Sequence, residues 1–110
     1  MTCVAVIGGS GFIGTRLCQA LQEAGVAFRI VDKQMSKTFP DKTTIADVTK
    51  LGSLFSALNG CGAVINLAAE HRDDVRPRSL YHEVNVDGAR NVCKAAEAMG
   101  INRVVFTSTV

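Results

Sequence analysis

The sequence holds no apolar run approaching the roughly 18 residues that a membrane span requires. Met1 is followed at once by strand-like residues, with neither a basic leader nor an apolar segment ahead of them. A membrane protein and a secreted one are therefore not expected. No charge of either sign dominates: twelve Lys and Arg stand against ten Asp and Glu, for a net charge of +2. The basic residues are scattered, so no stripe points to nucleic acid. The four cysteines, Cys3, Cys18, Cys61 and Cys93, form no C-x-x-C pair. That argues against a zinc knuckle or a redox dithiol, and for buried thiols in a reducing cytosol. The two histidines, His71 and His82, show no metal-ligand spacing, so no metal site is expected. His71 sits in Glu70-His71-Arg72-Asp73-Asp74, which reads as a solvated loop, with a place lining a substrate cleft as the alternative. No internal repeat, low-complexity tract or linker interrupts the chain.

What is present suits one modest domain. Hydrophobic residues make up 47% and charged residues 20% of 110 residues, enough for a core and unlike a disordered chain. The organising stretch is Cys3 to Gly14, CVAVIGGSGFIG. An apolar strand runs into Gly8-Gly9-Ser10-Gly11-Phe12-Ile13-Gly14 and then into a helical pattern. Gly8 permits a tight turn, Gly11 lets a pyrophosphate approach the backbone, and Gly14 lets the helix pack on the strand. The free N–H groups of the helix start and its positive dipole end then face an anion. A glycine loop alone is weak, since any tight turn can use glycine. Its setting adds to it: Asp32 follows at the end of a second strand, about 20 positions on, where a ribose-binding acid belongs. A carboxylate there accepts from both ribose hydroxyls and repels a 2′-phosphate, which favours NAD over NADP. The neighbouring cation Lys33 could offset that repulsion and is counted in the site. Lys33 and Lys37 also read simply as solvated loop lysines.

Leu17, Ala20, Leu21 and Ala24 fall at helical spacing, and Gly25 ends that helix. Phe28 to Val31 is the second strand. Gln34 to Lys42 is polar, contains Pro40 and reads as a loop. Thr43 to Ala46 is a short third strand ending at Asp47. Thr49 is a candidate cap for a helix carrying Leu51, Leu54, Phe55 and Leu58, which Asn59-Gly60 stops. Ala63 to Ala69 is a fourth strand, apolar almost throughout, as in a parallel sheet covered on both faces. A charged loop with Pro77 follows. Leu80 to Met99 is the longest expected helix, with Leu80, Val84, Val92, Ala96 and Met99 on one side. Arg103 to Ser108 is a fifth strand. Alternating strands and helices predict an α/β fold with a parallel sheet and right-handed crossovers. With the glycine loop after the first strand, it reads as a Rossmann-type, doubly wound sheet in three αβα layers, with strand order 3-2-1-4-5.

Together these residues resemble the N-terminal part of an extended short-chain dehydrogenase/reductase, of the NAD-dependent epimerase/dehydratase family. The likeness runs along the whole chain. The family loop reads T-G-G-x-G-F-I-G, which Gly8, Gly9, Ser10, Gly11, Phe12, Ile13 and Gly14 match, with Ile7 in place of the threonine. The resemblance makes this loop the cofactor's phosphate site and Asp32 its ribose acid. It makes Asp47 and Val48 the pair whose carboxylate and N–H meet the adenine edge. Asn66-Leu67-Ala68-Ala69 is similar to the family's H/N-L-A-A strand end, which puts Leu67, Ala68 and Ala69 beside the cofactor. Their plain alternative is helix packing. Tyr81-x-x-x-Asn85-x-x-Gly88 resembles Y-x-x-x-N-V-x-G-T, with Asn85 a structural tie between helix and strand. Phe106-Thr107-Ser108-Thr109 resembles F-S-S-S/T, which makes Thr109 the catalytic hydroxyl, bonded to the substrate beside a proton-moving tyrosine.

The resemblance implies that the parent protein is an NAD-dependent sugar-nucleotide epimerase or a close relative, cytoplasmic and homo-oligomeric. Its partners would be a dinucleotide and a nucleotide-sugar. Dehydratases of the family carry Asp-Glu after the hydroxyl residue. Val110 stands there instead, which favours epimerase or reductase. A hydroxysteroid- or flavonoid-type reductase is the alternative within the superfamily, and a non-catalytic dinucleotide sensor is the alternative outside enzymes. The family's Y-x-x-x-K helix does not occur in these 110 residues. The chain is thus expected to be a Rossmann domain truncated after strand five, without the substrate domain. It should bind dinucleotide without turning over substrate, and self-associate through the edge of VVFTSTV or be held in a non-native assembly. The resemblance implies that full-length relatives dimerise instead through the helix after the fourth strand, here Leu80 to Met99, packed with the next helix.

Overall fold

The computed structural model describes residues 3–68 and 86–107. Within them lie strands β1 (Cys3–Ile7), β2 (Phe28–Asp32), β3 (Thr43–Ile45), β4 (Cys61–Asn66) and β5 (Val104–Phe106) and helices α1 (Phe12–Glu23), α2 (Leu51–Leu58) and α3 (Gly88–Ala98). A helix separates each pair of successive strands except β2 and β3, which a short 3-10 turn (Pro40–Lys42) joins. The strands form one sheet in the order β3-β2-β1-β4-β5, and every pairing is parallel. That is the fold class and strand order expected from the sequence.

The two-residue period of a strand sends neighbours to opposite faces, so β1 and β2 each feed two cores. Ala5, Ile7, Val31 and Val64 enter the larger core, with Leu54, Ala57 and Leu58 of α2 and Val92, Ala95 and Ala96 of α3. Val6, Phe28 and Ile30 enter a smaller core on the other face, with Cys18 of α1 and Phe39. Phe28 and Phe39 meet edge to face at 5.2 Å between ring centroids, a favoured aromatic geometry. Phe39 thereby anchors the segment after β2 that its polarity marks only as a loop.

Several local expectations shift. The inward stripe of α1 is Gly14 and Cys18, both buried, with Leu17 and Leu21 half-buried, while Ala20 and Ala24 are exposed. The helical spacing is as read, but its phase is set by Gly14 facing the loop. Thr49 does not cap α2: Lys50 holds that position without a side-chain bond, and the Thr49 hydroxyl donates to Asp47. Met99 lies beyond the last turn of α3 and is 36% exposed. Leu80, Tyr81, His82, Val84, Asn85 and His71 fall outside the described residues. β4 starts at Cys61 and stops at Asn66, and β5 is confined to Val104–Phe106. The thiols are not uniformly buried: Cys18 and Cys61 are, Cys3 is half-buried, and Cys93 is exposed.

Candidate functional site

The carboxyl ends of β1, β2, β3 and β4 converge on one edge of the sheet, with the order reversing between β1 and β4. The chain leaves β1 through Gly8, whose φ of +81° lies in the left-handed region that favours glycine. Its N–H donates to the Val31 carbonyl at 2.8 Å, so the turn grows directly from the β1–β2 ladder. A Cβ on Gly8 would lie 3.0 Å from the Ala68 nitrogen and 3.1 Å from the Leu67 carbonyl carbon. The end of β4 is thus pressed against the loop backbone to backbone. Leu67 N–H donates to the Ile7 carbonyl, and Ala68 N–H to the buried Asn66 side chain.

Gly14 is tighter still. A Cβ there would meet Gly9 Cα at 2.5 Å and the Gly8 oxygen at 2.7 Å. Gly11 differs: its nearest neighbour would be the Gly8 oxygen at 3.7 Å, an ordinary contact. The protein itself leaves the space beside Gly11 open, which fits a group brought there from outside. Gly11 is also the cap residue of α1, in extended conformation, and no acidic residue lies in the first turn. The first N–H groups of a helix have no partner within it. Thr15 is the first to donate back, to the Gly11 carbonyl at 2.9 Å. Phe12 and Ile13 are exposed in that first turn, and the Arg16 guanidinium stacks 4.3 Å above the Phe12 ring.

Asp32 is tied to this loop. Its Oδ2 accepts from the Ser10 hydroxyl at 2.5 Å and the Ser10 N–H at 3.1 Å, and Oδ1 from the Gln34 N–H at 3.3 Å. The motif places Ser10 in the loop, but its bond to Asp32 crosses 22 positions and leaves no local signature in sequence. Beyond β3, the Asp47 Oδ1 accepts from the Thr49 N–H at 2.9 Å and its hydroxyl at 2.8 Å. Burial pushes the Asp47 carboxyl up, but the two Thr49 bonds, aided by Lys33 and Lys50, hold it below its ordinary value. Lys33 is therefore grouped with Asp47 electrostatically, and is itself exposed. The Val48 side chain is in the larger core, so only its backbone can meet a ligand. Its carbonyl accepts from the Asn91 side chain of α3 at 2.8 Å, and no acceptor for its N–H is found among the described residues. Asn91 is a positioning residue that the sequence reading missed. Its one signal is a polar side chain beside the buried stripe of α3. Ala69 and Thr109 lie outside the described residues.

A set of backbone donors for an anion and two oriented carboxylates thus share one edge. Gly8 to Gly14, Asp32, Asp47, Val48, Leu67 and Ala68 all belong to it. The edge offers hydrogen-bond donors to an anion and acceptors to hydroxyl or amine groups. The model of the NAD dependent epimerase/dehydratase family matches residues 4–110. The chain is 50% identical over 109 residues to the N-acetyl-alpha-D-glucosaminyl-diphospho-ditrans,octacis-undecaprenol 4-epimerase of Escherichia coli O157:H7, covering 97% of this chain and 32% of the relative. Among solved structures, a short-chain dehydrogenase/reductase superfamily protein from Agrobacterium tumefaciens with bound NAD superimposes with a TM-score of 0.88 at 30% identity, over 97% of this chain and 32% of the other. The UDP-glucose 4-epimerase of Thermus thermophilus in complex with NAD gives 0.85 at 25% identity, over 98% and 38%. The chain spans about a third of the length of these relatives.

Proposed function

Since the chain belongs to the NAD-dependent epimerase/dehydratase family, we propose that it is the dinucleotide-binding part of a sugar epimerase-like oxidoreductase, with NAD as its cofactor. The observation that carries this reading is the join between Ser10 and Asp32, which sets a carboxylate against a glycine loop at a helix start. The space beside Gly11 fits a pyrophosphate, whose charge the first N–H groups of α1 would meet. Asp32 would accept from the adenosine ribose hydroxyls and, as an anion, disfavour a 2′-phosphate. Asp47 and the Val48 N–H would hold the adenine edge, with Lys33 near by. Leu67, Ala68 and Ala69 would line the cofactor with backbone. The chemistry NAD supplies when bound is acceptance and return of a hydride at a sugar carbon.

Thr109 is proposed, on the family resemblance, to hydrogen-bond the reacting sugar oxygen. The proton-moving tyrosine and its lysine would come from elsewhere in the parent protein, so these 110 residues are proposed to bind without turnover. The Escherichia coli relative is named for a diphospho-undecaprenol-linked sugar. The proposed substrate is accordingly a sugar carried on a pyrophosphate, with a nucleotide or a polyprenol as carrier. A cytoplasmic location and a homo-oligomeric parent belong to the same proposal. Association of these 110 residues by themselves, as distinct from the parent, is supported by the β5 edge, where Val105 and Phe106 are exposed. Calorimetric titration with NAD and NADP, beside an Asp32→Ala variant, tests the cofactor reading. Preference for NAD, reduced at least tenfold in the variant, is expected. Equal binding of both dinucleotides by the parent chain would remove Asp32 from the role.

A further inference from the structure

The sheet brings together two thiols that lie 58 residues apart in sequence. Cys3 opens β1 and Cys61 opens β4, the two are register partners on adjacent strands, and their Sγ atoms are 3.2 Å apart. Neighbouring strands run roughly 4.7–4.9 Å apart, inside the Cα separation of about 4.4–6.8 Å that a disulfide spans. The sulfurs need only close by about 1 Å to reach bonding distance. Access is graded: Cys3 is half-buried and Cys61 is buried. Burial and the Cys3 thiol push Cys61 up to about 12, whereas Arg29 beside it favours the thiolate. The Arg29 guanidinium is fixed there by bonds to the Ala57 and Asn59 carbonyls at 2.7 and 2.8 Å, in the turn that leads into Cys61. Reaction therefore begins at Cys3, and Cys61 answers it.

We propose that Cys3 and Cys61 are a reversible oxidation site, closed to an intramolecular disulfide by a low-molecular-weight disulfide. The Cys3 thiolate attacks one sulfur of the small disulfide, forming a mixed disulfide and expelling one small thiolate, which takes up a proton. Cys61 then loses its proton and attacks the Cys3 sulfur, expelling the second small thiol. Two protein thiols are oxidised by two electrons, and one small disulfide is reduced to two thiols. The other cysteines cannot follow this course. Cys18 is fully buried on the opposite face of β1, and Cys93 is exposed on α3. The crosslink ties the amino ends of β1 and β4, away from the glycine loop, and shortens the unfolded chain's loop through α1, β2, β3 and α2.

The test incubates the folded chain with excess oxidised glutathione, alkylates the remaining thiols under denaturing conditions, and maps the digest by mass spectrometry. A Cys3–Cys61 crosslinked peptide is expected as the main product, with Cys18 alkylated and Cys93 carrying at most one glutathione. The thermal midpoint should rise and return on adding dithiothreitol. In Cys61→Ala, Cys3 should stop at the glutathione adduct, and Cys93→Ser should leave the crosslink intact. Should Cys61→Ala fail to fold, the Cys93→Ser chain and the unaltered one still decide. Recovery of both Cys3 and Cys61 alkylated, or of Cys3 as a stable glutathione adduct in the unaltered chain, overturns the proposal.

Discussion

At the carboxyl end of the sheet a Cβ on Gly14 would lie 2.5 Å from Gly9 Cα, whereas at the amino end a Cβ on Gly60 would meet nothing within 4 Å. Gly60 is needed for its φ of +85°, which turns the chain from α2 into β4. Gly14 is needed because backbone occupies the space a side chain would take. The carboxyl end is thus a platform of main chain packed on main chain at the glycine loop, tied down by the side chains of Asp32, Asp47, Asn66 and Asn91. The amino end is fastened by side chains instead: Arg29 across the end of α2, and Cys3 against Cys61. The contrast suits a ligand site, because dipoles fixed in a packed backbone need no rearrangement to meet an anion.

The largest expected effect comes from Gly14→Ala. Both nearest atoms are backbone and cannot swing aside, so overpacking should cost about 3 kcal/mol and take NAD affinity with it. A urea midpoint equal to that of the parent chain would break the contrast. Next is Arg29→Met, which removes two charged hydrogen bonds from the end of α2. A loss of about 2 kcal/mol is expected in the same denaturation, with NAD affinity unchanged. Gly60→Ala should cost about 1 kcal/mol, the ordinary cost of left-handed backbone, again without touching NAD binding. Weakened binding in either amino-end variant would mean that the two ends are coupled.

The smallest effect concerns pH. The Asp47 carboxyl titrates below its ordinary value of 3.8, so the stability it contributes is present above that value and is lost as pH falls through the depressed one. Asp47→Asn should flatten that acid limb of the stability profile, read by thermal melts between about pH 2 and pH 5. An unchanged limb would show that the Thr49 bonds do not act on the charge.

Much of this was legible in the sequence because it is encoded locally. Glycine spacing, apolar runs and the acids Asp32 and Asp47 at strand ends each declare themselves within a few residues. Alternation of strands and helices implied the parallel sheet, and the dinucleotide-type glycine loop after the first strand its order. What was not legible depends on partners far along the chain. The phase of α1 hinges on Gly14, which carries no apolar signal although it is buried. Phe39 lies in a polar stretch whose burial depends on Phe28. Thr49 looked like a cap, but Asp47 two residues earlier offers its hydroxyl a charged acceptor. The contact of Cys3 with Cys61 needs the parallel register of β1 and β4, which sequence spacing does not contain.

The central claim is that a dinucleotide occupies the carboxyl end and leaves the amino end alone. Amide chemical shifts of the isotopically labelled chain, followed during titration with NAD, test it residue by residue. The account predicts saturable shifts at Gly8 to Gly14, Gln34, Val48, Leu67 and Ala68, with Cys3, Arg29, Gly60 and Cys61 unmoved. Shifts spread evenly over both ends, or none at the glycine loop while the chain stays folded, would contradict it.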